Sequence, residues 1–268
     1  MNELLILPSA KYKQKVGYLT ASLFVTVGVC IYLKYNPFLL FADFSPIQRL
    51  LGEMLPPNFS LLWQPTIGRA IAQTASMAFL ATFYGCLIAF ILAFLTATNT
   101  MPLKFVRVIV GAFLSLLRII PPLVYILIFI IAVGLGSFSG MLALIAITVG
   151  MFGRLFTDII ENAEHSAADA VFSVGASRLQ VIRYAVLPQI VPAFIANCLY
   201  AFDVNIRVAI SLGIFGGGGI GYQLYMAMQV LHYQDAFALI CLIIVMIVLI
   251  EKASDYFRIM ILGKEKLR

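Results

Sequence analysis

The chain has 268 residues, of which 62% are hydrophobic and 11% charged, and its mean hydropathy is +1.02. A soluble globular domain is about half apolar and about a quarter charged, so the composition excludes one and indicates an integral membrane protein. The formal net charge of +6 reads as basic loops on the cytoplasmic side of a membrane, not as a nucleic-acid footprint, and the length suits one membrane domain without a second soluble one.

Lys11, Lys13 and Lys15 precede an apolar run that starts near Gly17 and ends in Lys34-Tyr35-Asn36-Pro37. The pattern is like a signal peptide, but no small-residue cleavage site follows, so the run is expected to stay as a first span. A spanning helix needs about 20 mainly apolar residues. Six stretches qualify: 17–35, 70–96, 109–133, 139–160, 188–212 and 235–262. Lipid offers the backbone no partner, so only helices or closed barrels span it, and unbroken apolar runs favour helices. The expected fold is all-α, with about six transmembrane helices. The expected division is a cytoplasmic N-terminus (1–16), a first span with an outer interfacial segment (17–66), a core (67–262) holding a cytoplasmic loop at 161–187, and a cytoplasmic tail (263–268).

Within 36–66, Phe38, Leu39, Leu40, Phe41, Leu50, Leu51 and Trp63 mix with Asp43, Arg49 and Glu53. This predicts an interfacial helix over Ser45–Leu55, stopped by Pro56-Pro57. Lys104, Arg107, Arg178, Arg183, Lys264, Lys266 and Arg268 join the N-terminal lysines on one side; Lys34, Arg49 and Arg69 fall on the other. The positive-inside rule then puts both termini in the cytoplasm. Cys30, Cys86, Cys198 and Cys241 lie in apolar segments without CxxC spacing, as small buried hydrophobes do.

The stretch DAVFSVGASRLQVIRYAVLPQ (169–189) is too polar for the membrane and too patterned for an idle linker. Asp169 is expected to cap a short helix. Gly175 supplies a turn. Ala176 and Ser177 begin a second helical stretch that carries Arg178 and Arg183, and Leu187-Pro188 closes it before the fifth span. Such an object can protrude and fill a groove on a partner.

These residues resemble the EAA loop of ABC importer permeases, whose pattern is E-A-A, three residues, G, nine residues, I, one residue, L-P. Asp169-Ala170-Val171, Gly175, Ala185 and Leu187-Pro188 keep the spacing, with Asp for Glu, Val for Ala and Ala for Ile. Arg118-Ile119-Ile120-Pro121-Pro122, Val133-Gly134-Leu135-Gly136, Leu187-Pro188-Gln189, YAFDVNIR (200–207), Gly213–Gly221 and Tyr233-Gln234 resemble the phosphonate branch of these permeases. The resemblance covers residues 70–240. It implies a type I importer permease fold with a cytoplasmic coupling helix in a multi-pass bacterial inner-membrane protein. It implies that Asp169, Ala170, Gly175, Ala176, Ser177, Arg178, Leu187 and Pro188 form the element that docks on a separate ATPase homodimer. ATP and Mg would be held there and no cofactor or metal in this chain. The other implied partners are a second copy of the permease, an extracytoplasmic substrate-binding protein and the bilayer, with no nucleic acid. The cargo implied is phosphonate, phosphite or hypophosphite.

Arg118, Arg154, Asp203 and Arg207 fall within or at the ends of predicted spans, where charge is costly and faces the bundle interior or water. Asp203 and Arg207, four apart, share a helix face. They either neutralise each other and pin the fifth span, or Arg207, with Arg118, lines a path for a small oxyanion, whose oxygens suit paired guanidinium donors. Arg154 and Asp158 are expected to form an interfacial pair.

Gly216, Gly218 and Gly221 satisfy GxGxxG without the strand and helix that a dinucleotide site requires. Gly213, Gly217 and Gly221 allow close helix packing. The functional alternative makes Gly216, Gly217, Gly218 and Gly219 an outer gate or a binding-protein contact at the outer surface. No GxxxxGK[ST] is present, so the chain is not its own P-loop ATPase. His165 and His232 are expected on opposite sides of the membrane, without a carboxylate cluster or HExxH, and no hydrolase constellation stands out. The reading is a permease subunit without catalytic residues. Its rivals are a permease for another solute such as methionine and an ion-coupled secondary transporter, whose marks are broken helices and midplane carboxylates.

Overall fold

The computed structural model describes residues 9–33 and 44–263, and all regular structure among them is helical. Residues 1–53 and 54–268 form two separate compact units. Phe38 to Phe41, Asp43, Lys34, Lys264, Lys266 and Arg268 lie outside the described residues. In the first unit, α1 (Ser9–Tyr32) carries a stretch, Gln14–Tyr32, apolar and long enough to cross a membrane. Helix α2 (Ser45–Met54) forms where a helix is expected over Ser45–Leu55 and is amphipathic. Ile47, Leu50, Leu51 and Met54 recur at helical spacing on one face, with Arg49 and Glu53 on the other.

The second unit is organised around two long helices, α3 (Pro65–Thr96) and α6 (Ser137–Glu161). Pro65 starts α3 in its first turn, where a missing N–H costs no hydrogen bond. The buried face of α3 is mostly small: Ala70, Ala78, Ala81, Gly85, Ala89 and Ala93. Helix α6 meets it with Gly140, Ala143 and Thr148. Lipid tails are as apolar as leucine, so helices in a bilayer associate through close packing, which small residues permit. A Cβ on Gly85 would lie 2.6 Å from Cβ of Thr148. Gly153 of α6 is just as tight against Leu114, also at 2.6 Å.

The stretch expected as one span at 109–133 is two helices, α4 (Lys104–Ile119) and α5 (Pro122–Val133), bent by 95°. The two prolines explain the break. Pro121 forces Ile120 into extended backbone (φ −70°, ψ 122°) and has no N–H to continue the ladder, while Pro122 suits the first turn of the next helix. Tyr125 donates its phenolic O–H to the Leu117 carbonyl at 2.8 Å, satisfying one acceptor that the break leaves without a helical partner. Among the described residues, five helices are long and apolar enough to cross a membrane, or six if the bent pair counts as one span.

Within the stretch expected as a cytoplasmic loop, α7 (His165–Ser173) and α8 (Arg178–Val181) lead through a π-helical turn, Ile182–Val186, into α9 (Leu187–Leu212). The expected stop at Leu187-Pro188 does not occur, and one apolar helical run extends over Arg178–Gly217. The π turn moves the bond of Leu187 N–H to the carbonyl of Ile182, five residues back. That wider turn accommodates the proline ring, which would crowd an ordinary i−4 carbonyl. A second π-helical turn, Gly213–Gly217, ends α9; α10 (Gly219–Gln229) is too short to span, and α11 (Tyr233–Gly263) completes the unit.

Candidate functional site

Two places concentrate polar function: the loop between α6 and α9, and a charged cluster on α9. In the loop, Glu164 occupies the N-cap position of α7, and Asp169 lies in the middle of that helix. The capping role expected for Asp169 is therefore corrected, because a cap must precede the first helical residue. Asp169 is exposed and makes no ion pair or side-chain hydrogen bond among the described residues. Gly175 makes the elbow with φ +83°, a left-handed value that glycine takes without steric cost, and its N–H donates to the Phe172 carbonyl at 3.0 Å. Ser177 begins α8 as an N-cap with a capping box, its own N–H donating to Gln180 Oε1 at 2.7 Å. Ala176 joins elbow to cap.

The elbow exposes a patch that solvent does not favour. Phe172 is 60% exposed, Val174 83% and Leu179 78%. Contiguous exposed apolar groups on a polar segment mark a docking surface. A cavity of about 260 Å³ lies behind the elbow, lined among others by Asn99, His165, Asp169 and Arg178. The turn between α3 and α4 supports the loop's base: Thr98 N–H donates to Glu161 Oε1 at 2.8 Å, and Asn99 Nδ2 donates to the Ile160 carbonyl at 2.6 Å.

On α9, Arg207 Nη2 and Asp203 Oδ2 form the expected ion pair at 2.5 Å. Glu251 of α11, which the sequence reading passed over, lies 3.6 Å from the same nitrogen. The Asp203 side chain is 9% exposed and that of Arg207 45%, so the pair is anchored on the carboxylate side and open on the guanidinium side. Between them Asn205, fully buried, donates from Nδ2 to Thr82 Oγ1 on α3 and to Thr148 Oγ1 on α6, both at 2.9 Å. This clasp pins α9 to the two central helices. Its signal in the sequence was an amide in an apolar span, where Gln189 and Asn197 also stand; its threonine partners lie far off along the chain.

The structure does not bring Arg118 to this cluster. Arg118 ends α4, exposed, with no ion pair among the described residues. Arg154 and Asp158 are both exposed and no ion pair joins them, which corrects the expected interfacial pair. His232 Nδ1 lies 3.4 Å from Asp235 Oδ2, and Asn58 Nδ2 donates to Asp235 Oδ1 at 2.7 Å, tying residue 58 to the start of α11. Among the described residues no group of three or more His, Cys, Asp or Glu side chains could hold a metal ion.

The glycine run packs closely, as expected of Gly213, Gly217 and Gly221, whose Cβ positions meet neighbouring backbone atoms within 3 Å. Gly217 and Gly219 are buried, and Gly216 and Gly218 partly so. Gly216, Gly218 and Gly219 have φ of +99°, +76° and +72°. The first N–H groups of α10 are satisfied by α3, Gly219 N–H by Gln73 Oε1 at 3.2 Å and Ile220 N–H by Thr74 Oγ1 at 2.9 Å. A Cβ on Gly219 would strike Thr74, and one on Gly140 would lie 2.9 Å from the Gly217 carbonyl.

Comparison with known proteins agrees with this architecture. The chain is 34% identical over 238 residues to the "Phosphate-import permease protein PhnE" of Mycolicibacterium smegmatis, covering 87% of this chain and 44% of that one. The chain thus spans less than half the length of that relative. It is also 34% identical over 212 residues to the "Phosphite transport system permease protein PtxC" of Stutzerimonas stutzeri, covering 79% and 76%. Among solved structures, the MetNI methionine ABC transporter in an inward-facing conformation matches with a TM-score of 0.64 at 18% identity, over 75% of this chain and 98% of that one. The fold is that of a type I ABC importer permease. Residues 85–257 match the model for the binding-protein-dependent transport system inner membrane component, and the chain belongs to that family.

Proposed function

We propose that the chain is the membrane-spanning permease subunit of an ATP-driven importer for phosphonate or a related small phosphorus oxyanion such as phosphite or hypophosphite. The observation that carries this is the exposed apolar elbow around Gly175, built on the helix that continues into the charged span. The names of the two relatives, both about phosphorus oxyanions, support the cargo class. A methionine cargo has less support, since the likeness to a methionine transporter is at 18% identity.

In this reading, Asp169, Ala170, Gly175, Ala176, Ser177, Arg178, Leu187 and Pro188 belong to the coupling element, which docks on a homodimeric ATPase holding ATP and Mg. Two copies of the permease place two α9 helices around a central path, where Arg207, set by Asp203, meets the oxyanion; Arg118 lines the same path further along. An extracytoplasmic protein delivers the cargo. The run Gly216 to Gly219 acts as the outer gate; burial of Gly217 and Gly219 gives no support to a direct contact with the binding protein. Both termini lie in the cytoplasm. ATP drives the switch because it binds one global state of the complex better than the other. The permease itself makes and breaks no covalent bond.

The test is ATP hydrolysis by the complex in liposomes, with the candidate ATPase and binding protein. Phosphonates, phosphite, hypophosphite and phosphate are offered in turn, with methionine as control. Stimulation by one phosphorus compound is expected. Stimulation by methionine alone would keep the mechanism and overturn the cargo, and uptake driven by an ion gradient without ATP would overturn both.

A further inference from the structure

The coupling loop is closed at its base by one side chain. Gln189 lies in the first turn of α9, yet its amide faces the start of α7. Its Oε1 accepts the Glu164 N–H at 2.8 Å, and its Nε2 donates to the Ala185 carbonyl at 2.8 Å. Glu164 is the N-cap residue of α7, and Ala185 sits in the π turn that enters α9. One amide thus joins residues 25 apart in sequence, across the mouth of the segment that bears the elbow.

The position of this link matters because of what lies between its ends. Gly175 has open space around it and a positive φ, so the elbow is the natural place for the two limbs to fold against each other. The first limb follows α6, whose end is held by Glu161 and by Asn99. The second limb runs unbroken into α9, the helix of Asp203, Asn205 and Arg207. Without a bond at the base, a load on the elbow would splay the limbs. With it, residues 164–189 form a closed ring, and the load passes to α9.

We infer that Gln189 is a positioning residue that makes the coupling loop move as one body with α9. This rests on the functional reading above. The acceptor half of the amide holds α7, and the donor half fixes the amide's orientation against the π turn.

The experiment uses the full complex in liposomes with phosphite as cargo, and reads phosphite imported per ATP hydrolysed. Gln189→Ala removes both bonds. Glu164→Pro removes the N–H that Gln189 receives, at a φ of −64° that the proline ring itself adopts, and also the carboxylate that accepts from Ser166 Oγ at 2.8 Å. Glu164→Ala, which loses the carboxylate and keeps the N–H, is its control and is expected to leave the ratio unchanged. Gln189→Ala and Glu164→Pro are each expected to lower the ratio about fivefold, the factor set by one hydrogen bond of ordinary net strength. The double variant is expected to be no worse than either single one, because both break the same link. Gln189→Glu, which keeps the acceptor, is expected to recover part of the ratio. A purely structural role would lower the amount of assembled complex and leave the ratio alone. In the assembled fraction, hydrogen exchange at the Glu164 amide is expected to quicken about fivefold with Gln189→Ala. An unchanged ratio, additive losses or an unchanged exchange rate would each overturn the inference. A wild-type complex that imports phosphite without consuming ATP would overturn the functional reading beneath it.

Discussion

At the scale of single residues, the structure separates roles that the sequence left together. Asp169 is a mid-helix carboxylate, so Asp169→Asn tests only its charge. If the charge meets the ATPase, the variant keeps its thermal stability and loses stimulated ATP hydrolysis by about tenfold or more, as the loss of one charge-assisted hydrogen bond implies. Arg207 is harder to probe, because its removal strands the buried Asp203 carboxylate, and an unpaired buried charge destabilises the fold. The informative variant is therefore Asp203→Asn with Arg207→Ala, which removes both charges. It is expected to assemble, yet to lose oxyanion uptake by about tenfold or more, since a guanidinium–oxyanion bond contributes about 1.5–3 kcal/mol. Normal uptake by the double variant would dismiss Arg207 from the path. The pair itself was legible from its i, i+4 spacing. Glu251 was not, because it comes from another helix, and no periodicity within α9 or α11 relates the two positions.

At the scale of elements, small residues decide which helices touch. Gly85→Val places a branched side chain where a Cβ alone would lie 2.6 Å from Thr148. Overpacking of this kind costs about 1–3 kcal/mol. Gly68, on the same helix with nothing within 4 Å of its Cβ position, is the control. Gly68→Ala is expected to be neutral or to stabilise by up to about 1 kcal/mol through helix propensity. Thermal unfolding of the purified protein in detergent distinguishes them: the melting temperature falls for the first variant and not for the second. Existence of the long helices followed from apolar length, because lipid leaves no other way to satisfy the backbone. Their interruptions did not. Pro121-Pro122 was visible, yet a run of apolar residues on both sides masked a 95° bend. Conversely, Pro188 was expected to end a helix, and a π turn carries the helix past it.

At the scale of the whole molecule, one helical run leads from beside the elbow to the charged cluster, which the proposed coupling requires. Gly175→Trp tests that connection. The position is open, so the fold tolerates the bulk apart from a local cost of about 1–2 kcal/mol for a left-handed residue with a Cβ. The variant is expected to retain a folded permease by circular dichroism and to abolish cargo-stimulated ATP hydrolysis; full stimulation would remove the elbow from the coupling element. The sequence by itself determined the membrane class, the all-helical fold, the elbow and the Asp203–Arg207 pair. Each follows from local terms: apolar length, a glycine, or a spacing of four. Only the tertiary structure decided which backbone groups the glycine run meets, that Glu251 joins Arg207, and that Asn205 and Gln189 tie distant segments together. Those outcomes depend on which surfaces approach closely enough for a Cβ to clash or an amide to reach, and such distances are set by the packing of several helices at once.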